Sequence, residues 1–214
     1  MLWPTIRSHL PHPPAQIIEL GCGRRGGFVP RLREEGYEAL GVDPVAPEGE
    51  CYRQREFEHG DLPRPVAGVI ACTSLHHVAD PDEVLDRVAD VLAPDGVVVV
   101  VEWDWESFDE ATARWAFERL DASGNERWLH RHRDGWTASD QPWEDYLRGW
   151  ASDHGLHSAA ALIRGLDQRF ERLTSVRGPY LFTELSHTSE AEERAAIDAG
   201  AIRALRLDYA GRRA

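Results

Sequence analysis

The chain contains no lysine, so all 24 of its basic residues are arginine. That excludes any chemistry that depends on a catalytic lysine amine. Cysteine is scarce as well. Cys22, Cys51 and Cys72 form neither a CxxC pair nor a zinc-ligand spacing, and an odd count argues against a disulfide framework. Cys22 and Cys72 close apolar runs and read as small buried residues. No apolar run approaches the roughly 18 residues of a membrane span. The opening MLWPTIRSHLPHPP lacks the basic-then-apolar order of a secretory leader, so a cytoplasmic protein without a membrane partner is the expectation. Internal repeats and low-complexity tracts are missing too. Positive charge is in deficit: 37 acidic residues leave a formal charge of −13, which disfavours a nucleic-acid partner because binding phosphate needs a basic face.

What is present fills a core. At 214 residues and 42% hydrophobic, the chain fits one large α/β domain over 1–214. Residues 1–14 are rich in proline and read as irregular. Gln16–Leu20 is a short apolar run closed by Gly21-Cys22-Gly23, the pattern of a buried strand. Residues 27–35 suit a helix stopped by Gly36, and Ala39–Val42 is a second strand ending at Asp43-Pro44. Residues 44–50 read as loop, Tyr52–Phe57 as a third strand and Val69–Cys72 as a fourth. Asp80 can cap a following helix, Pro81 suits its first position, and Glu83 can reach back. Val97–Val101, five valines in a row, is the strongest buried-strand signal. This alternation predicts a parallel sheet with helices on its faces. Residues 106–167 carry several tryptophans and no clear strand, so they read as a helical insertion. Residues 170–182 suit a sixth strand broken near Gly178-Pro179, and 188–199 an acidic helix with Glu190 and Arg194 at i, i+4. Residues 203–210 suit a last strand with one wetter side.

Ligands of such sheets bind beyond the carboxyl ends of the strands. There, Gly21-Cys22-Gly23-Arg24-Arg25-Gly26-Gly27 lets the backbone turn sharply and approach a ligand, while the helix start offers unpaired N–H groups. Either the pyrophosphate of a dinucleotide or the methionine carboxylate of S-adenosylmethionine (SAM) suits that place. Asp43 can accept both hydroxyls of a ribose, which NAD and SAM share. Two features separate them. Glu19 stands where a dinucleotide-binding strand is usually apolar, and it can help hold the cationic amino-acid end of SAM. The Tyr-x-x-x-Lys pair of small dehydrogenases is excluded.

The stretches IIELGCG, GYEALGVDP and SLHHVADPDEVLDRVADVLAPDGVVVVVEW, in that order, resemble a class I SAM-dependent methyltransferase of the small-molecule type 11 kind, best over residues 15–105. The resemblance implies a Rossmann-like, mostly parallel seven-stranded sheet flanked by helices, with SAM as cofactor. It implies cofactor contacts from Glu19, Gly21, Cys22, Gly23, Asp43, Pro44, Glu58, Thr73 and Ser74. In that set Asp43 holds the ribose, Glu58 the adenine amine (with Asp61 as the competing choice), and Thr73 and Ser74 lie near the methionine. The sequence departs from the pattern in a glycine loop one residue longer with Arg24-Arg25, a 44–50 loop too short for the usual second helix, and a near absence of N-terminal helices. These departures leave 106–167 as the expected lid.

Methyl transfer from a sulfonium needs alignment and exclusion of water more than a covalent catalyst. No catalytic residue is therefore assigned beyond His77 as a weak candidate base, and the resemblance favours a structural or cofactor-contacting role for the His76-His77 pair. His130-x-His132 and His154-x-x-His157 lack a third ligand, so no metal site is expected. Trp136, Trp143 and Trp150 repeat every seven residues, but Gly135 and Pro142 argue against one continuous helix. Trp103 and Trp105 follow the fifth strand and are the pair expected to face the site. The expectation is methylation at O, N or C of a small, apolar or aromatic acceptor. The alternatives are a non-catalytic SAM-binding partner protein and an NAD(P)-dependent oxidoreductase.

Overall fold

The computed structural model describes residues 2–121 and 127–213. In chain order its elements are α1 (Trp3–His9), β1 (Gln16–Leu20), α2 (Val29–Glu34), β2 (Glu38–Val42), β3 (Tyr52–Arg53), β4 (Val66–Cys72), α3 (Pro81–Val91) and β5 (Leu92–Trp103). They continue as α4 (Glu110–Phe117), α5 (Trp128–Ser139), α6 (Trp143–Asp153), α7 (Ala159–Arg169), β6 (Phe170–Gly178), α8 (Glu190–Asp198) and β7 (Arg206–Arg213). The seven strands form one sheet in the order β3-β2-β1-β4-β5-β7-β6, mostly parallel and Rossmann-like, as the resemblance implied. The chain folds into two compact units. The first comprises Met1–Glu102, Ala159–Val176 and Asp208–Ala214, and the second comprises Trp103–Ser158 and Arg177–Leu207.

The parallel ladders set the position of the site. Leu20 is level with Val42 on one side and Ala71 on the other, and Cys72 is level with Val101. The carboxyl ends of β1, β2, β4 and β5 therefore finish together. These strands are mainly apolar because both sheet faces are covered. Val98, Val99, Val100 and Val101 are at most 1% exposed, each side chain contributing roughly 1.5–3 kcal/mol of burial. On α3, the Asp80 carboxylate accepts from the N–H of Asp82 at 2.9 Å and of Glu83 at 3.2 Å, the expected cap, with Pro81 opening the helix. Val84, Leu85, Val88 and Val91 form its buried face. α7 belongs to this first unit. Arg169 near its end pairs with Asp82 and Asp86 of α3, and a Cβ on Gly165 would press to 2.9 Å of Leu85.

Three expectations are corrected. The opening is not irregular throughout: Pro4 stands in the first turn of α1, where a missing N–H costs nothing. Ile6 of that helix is fully buried in the cluster formed with Ile17, Val29 and Leu32, and Trp3 and Arg7 both donate to Glu35. The third strand stops at Arg53 rather than running to Phe57. β7 has no wetter side. Arg206–Gly211 is buried, Asp208 included, because β7 is inserted between β5 and β6 rather than left at an edge. The edge strand on that side is β6, on which Leu173 and Val176 are exposed.

The second unit holds every tryptophan but Trp3. The seven-residue spacing of Trp136, Trp143 and Trp150 does not lie on one helix. α5 ends at Asp140, which adopts φ 52°, and Pro142 precedes α6. Trp143 is fully buried, donates from its indole to the carbonyl of Phe108 and packs edge-on against that ring at 5.0 Å. Trp103, Trp128, Trp150 and Tyr180 pack around the same centre, so these rings act as core. His132 sits among them, 4.5 Å from Trp150, and burial lowers its pKa to about 4. His154 stacks on Trp150 at 4.3 Å. Glu193 is fully buried, and its carboxylate accepts from the N–H groups of Tyr180, Leu181 and Phe182. Part of the expected lid, residues 122–126, lies outside the described residues.

Candidate functional site

A cleft of about 480 Å³ opens at the carboxyl ends of β1, β2 and β4. That is within the range of small-molecule sites. Gly21, Gly23, Asp43, Pro44, Glu58, Thr73 and Ser74 line it, together with His77. Every residue in that group was legible from the sequence. A second depression, of about 610 Å³, lies by the strand starts Gln16 and Glu38, the end of a parallel sheet that does not carry ligands.

The glycine turn is shaped by its neighbours. Gly21 has φ 77°, and a Cβ there would fall 2.2 Å from the Cβ of Ser74, so the ends of β1 and β4 interlock only around a glycine. Gly23 also has a positive φ, 62°, but a Cβ on it would meet nothing within 4 Å. Its bare backbone faces open space, where a ligand can approach. The Gly23 N–H donates to Asp43 Oδ2 at 2.9 Å, and the Val45 N–H to Asp43 Oδ1 at 2.8 Å. Those two bonds hold a carboxylate at the cleft wall, at the end of β2.

Glu19 and Cys22 do not line the cleft. Glu19 is 1% exposed, and its Oε2 accepts the Phe28 N–H at 2.7 Å, tying β1 to the entry of α2. A Cβ on Gly27 would lie 2.2 Å from its Oε1. Burial pushes the Glu19 carboxyl up to about 7, against the opposing pull of the Phe28 and Val29 N–H groups. Its place in the structure is therefore to hold the long glycine loop closed. Cys22 is buried toward β2, with Sγ 2.8 Å from where a Gly41 Cβ would be, and burial pushes its thiol up to about 12. It is an inert packing residue.

At the end of β4, Thr73 takes φ 48°, uncommon for a β-branched residue, while its N–H donates to Val101 O at 2.7 Å. Ser74 Oγ donates to Leu20 O at 3.1 Å. A 3-10 turn, Leu75–His77, follows, with the His76 and His77 rings 4.0 Å apart. Asp61 is not in the lining, and its carbonyl accepts from Arg55 Nη2 at 2.6 Å. Sequence reasoning missed Arg55 and Glu56, which line the cleft beside Phe57 and Glu58. Phe57, in the 57–61 stretch expected at the ligand end of the sheet, is 4% exposed. Within the second unit, the Trp105 indole donates to His157 O at 3.2 Å.

A parallel sheet with a glycine turn after its first strand and a carboxylate ending the second defines a Rossmann-like enzyme that binds an adenosine-bearing cofactor. Residues 5–156 match the model of the methyltransferase domain family, more than half the chain, so this protein belongs to that family and is a SAM-dependent methyltransferase. That assignment displaces the NAD(P)-dependent alternative. A search of curated proteins gives no match. Solved structures share the fold. A putative SAM-dependent methyltransferase from Listeria monocytogenes aligns with TM-score 0.58 at 16% identity, covering 99% of this chain and 97% of that one. A SAM-dependent methyltransferase from Mesorhizobium loti gives 0.60 at 20%, with the same coverage. Geranyl diphosphate C-methyltransferase from Streptomyces coelicolor A3(2) gives 0.56 at 15%, covering 97% of this chain and 76% of that one.

Proposed function

We propose that the cleft at the ends of β1, β2 and β4 is the SAM site, and that the enzyme transfers the methyl group to O, N or C of a small acceptor with an apolar or aromatic surface. The observation that carries the reading is the cradle itself. Gly23 presents bare backbone to open space beside a carboxylate held in place by two N–H groups. Asp43 would take the ribose hydroxyls, Glu58 the adenine amine, and Gly21, Gly23, Thr73 and Ser74 the amino-acid end, with Pro44 at the rim. Glu19 and Cys22 would act from behind the loop. SAM supplies an electrophilic methyl carbon. The chain's own task is to fix that end of the cofactor, orient the acceptor and keep water out. His77, in the cleft wall, is the candidate to take a proton from the acceptor.

A small acceptor fits the net charge of −13, which opposes a polyanion. The aromatic helical segment 106–167 is our candidate for the lid and acceptor-binding part, which favours an apolar or aromatic partner. Among the described residues no helix is long and apolar enough to cross a membrane, and we place the enzyme in the cytoplasm.

Thermal shift with SAM, S-adenosylhomocysteine, NAD and NADP tests the cofactor site. A ligand at a hundredfold excess over its Kd stabilises the folded state by about 2.7 kcal/mol. SAM and its demethylated product should raise the melting temperature of the wild type, and Asp43→Ala should lose that shift. A shift with the dinucleotides alone overturns the reading, and an undiminished SAM shift in Asp43→Ala removes Asp43 from the site.

A further inference from the structure

Behind the cleft wall, a residue outside the expected cofactor contacts organises the turn on which Thr73, Ser74 and His77 stand. Glu102, near the end of β5, is fully buried. Its Oε1 accepts the N–H of Ser74 at 2.9 Å and of Leu75 at 2.7 Å, and its Oε2 meets Nδ1 of His76 at 2.5 Å. One carboxylate thus engages three consecutive residues at the start of the 3-10 turn. Buried polar oxygens are tolerated only when they are satisfied in this way.

The turn it holds is strained and interlocked. Thr73, just before the clamped residues, is in the left-handed region at φ 48°. Such a conformation persists only where surrounding bonds over-determine it, and such residues concentrate at functional sites. Ser74, held from below by Glu102, reaches across to β1: its Oγ donates to Leu20 O, and its Cβ occupies the space a Gly21 side chain would need. Displacing Ser74 therefore moves both walls of the cleft, the end of β4 and the glycine turn of β1. His76 adds a second anchor, since its ring is buried and packs on the His77 ring, which lines the cleft.

From this geometry we propose that Glu102 is a positioning residue for the cofactor. Through Ser74, Leu75 and His76 it holds the 73–77 turn in the strained conformation that forms one wall of the SAM cleft and sets the other. Glu102 touches no ligand itself. The proposal rests on the reading of the cleft as the SAM site.

The test is isothermal titration of the full-length protein with SAM, together with hydrogen–deuterium exchange of the peptide spanning residues 73–77. In Glu102→Ala the Ser74 and Leu75 N–H groups lose their acceptor. The SAM Kd should rise at least about tenfold, and exchange at the turn should accelerate. Glu102→Gln should restore most of the affinity. Its amide oxygen accepts the same two N–H groups, and its NH2 can donate to Nδ1 once His76 adopts the other tautomer. Val88→Ala, which opens a cavity under α3 away from the cleft lining, should cost stability and leave the SAM Kd unchanged, separating positioning from general loosening. Should Glu102→Ala fail to fold, His76→Phe decides, since it removes the Oε2 contact and leaves the acceptor of the Ser74 and Leu75 N–H groups in place. Faster exchange at 73–77 with a raised Kd supports the proposal, and wild-type values overturn it. A Glu102→Ala Kd within about twofold of wild type, or an equal rise in Val88→Ala, also overturns it. Asp43→Ala measured alongside separates the two claims. If it loses SAM while Glu102→Ala does not, only this inference fails; if neither variant changes the Kd, the cleft is not the cofactor site. A loss in Glu102→Ala alone upholds the turn's role and removes Asp43's.

Discussion

Glu19 should make this enzyme less stable as pH rises toward neutrality, against the usual behaviour of a carboxylate in an ion pair. Its side chain is 1% exposed, and burial lifts the pKa from 4.5 to about 7. The folded state therefore keeps a proton that the unfolded chain gives up. Below about pH 4.5 both states are protonated and the group contributes its full share. Between about pH 4.5 and 7 the native state binds more protons, so stability from this group falls, and above about 7 the fold carries a buried charge. The gap of 2.5 units, 7 minus 4.5, corresponds to about 3 kcal/mol lost across the window. Glu19→Gln keeps an amide oxygen for the Phe28 N–H and removes the charge, while the Val29 N–H retains its bond to Gly26 O. Urea unfolding of both proteins, followed by circular dichroism from about pH 5 to 8.5, isolates the effect, since every other titration is common to both. The wild type should fall relative to Glu19→Gln by about 2–3 kcal/mol over that range. A carbon-13 titration of the Glu19 carboxyl should give a midpoint near 7. Parallel stability curves, or a midpoint near 4.5, would refute the reasoning.

Two further outcomes follow from the packing. Gly21→Ala forces a Cβ against Ser74 at a positive φ, so it should destabilise the fold by roughly 1–3 kcal/mol and abolish the SAM thermal shift; a wild-type melt with a full shift counts against the interlocked turn. His132 has its pKa lowered to about 4 by burial first, and then by the charges of Arg131 and His154. The unfolded chain therefore binds the extra proton, and stability should drop as pH falls from about 6.5 to about 4, by up to about 3 kcal/mol from this group. His132→Phe should remove that drop relative to wild type in melts at about pH 4.5 and 7; an unchanged drop places the acid sensitivity elsewhere.

Much of the first unit could be read locally. The strands of a covered parallel sheet are mainly apolar, so β1, β2, β4 and β5 announce themselves without knowledge of their neighbours. The Asp80-Pro81 start of α3 and the Gly21–Gly23 turn are equally local, because caps and tight turns are set by residues a few positions apart. Asp43 was legible for the same reason: the place it takes at the end of the second strand follows from the alternation alone.

Long-range contacts decided the rest. α1 forms because Ile6 finds a cluster with α2 and β1, and no periodicity in so short and proline-rich a segment shows that. The alternation in β7 reads as a half-wet strand, and only its insertion between β5 and β6 buries Arg206 and Asp208. The carboxylates show the limit most clearly. Glu19, Asp43 and Glu102 are each one acidic residue at a strand end, alike on paper. Asp43 came to line the cleft, Glu19 to tie the loop nine residues on, and Glu102 to hold a turn 28 residues earlier in the chain. A carboxylate accepts from whichever N–H groups the fold delivers to it. Residue type and local order determined that acidic groups would stand at the ligand end of the sheet, but their individual tasks were settled only when the strands came level beside one another.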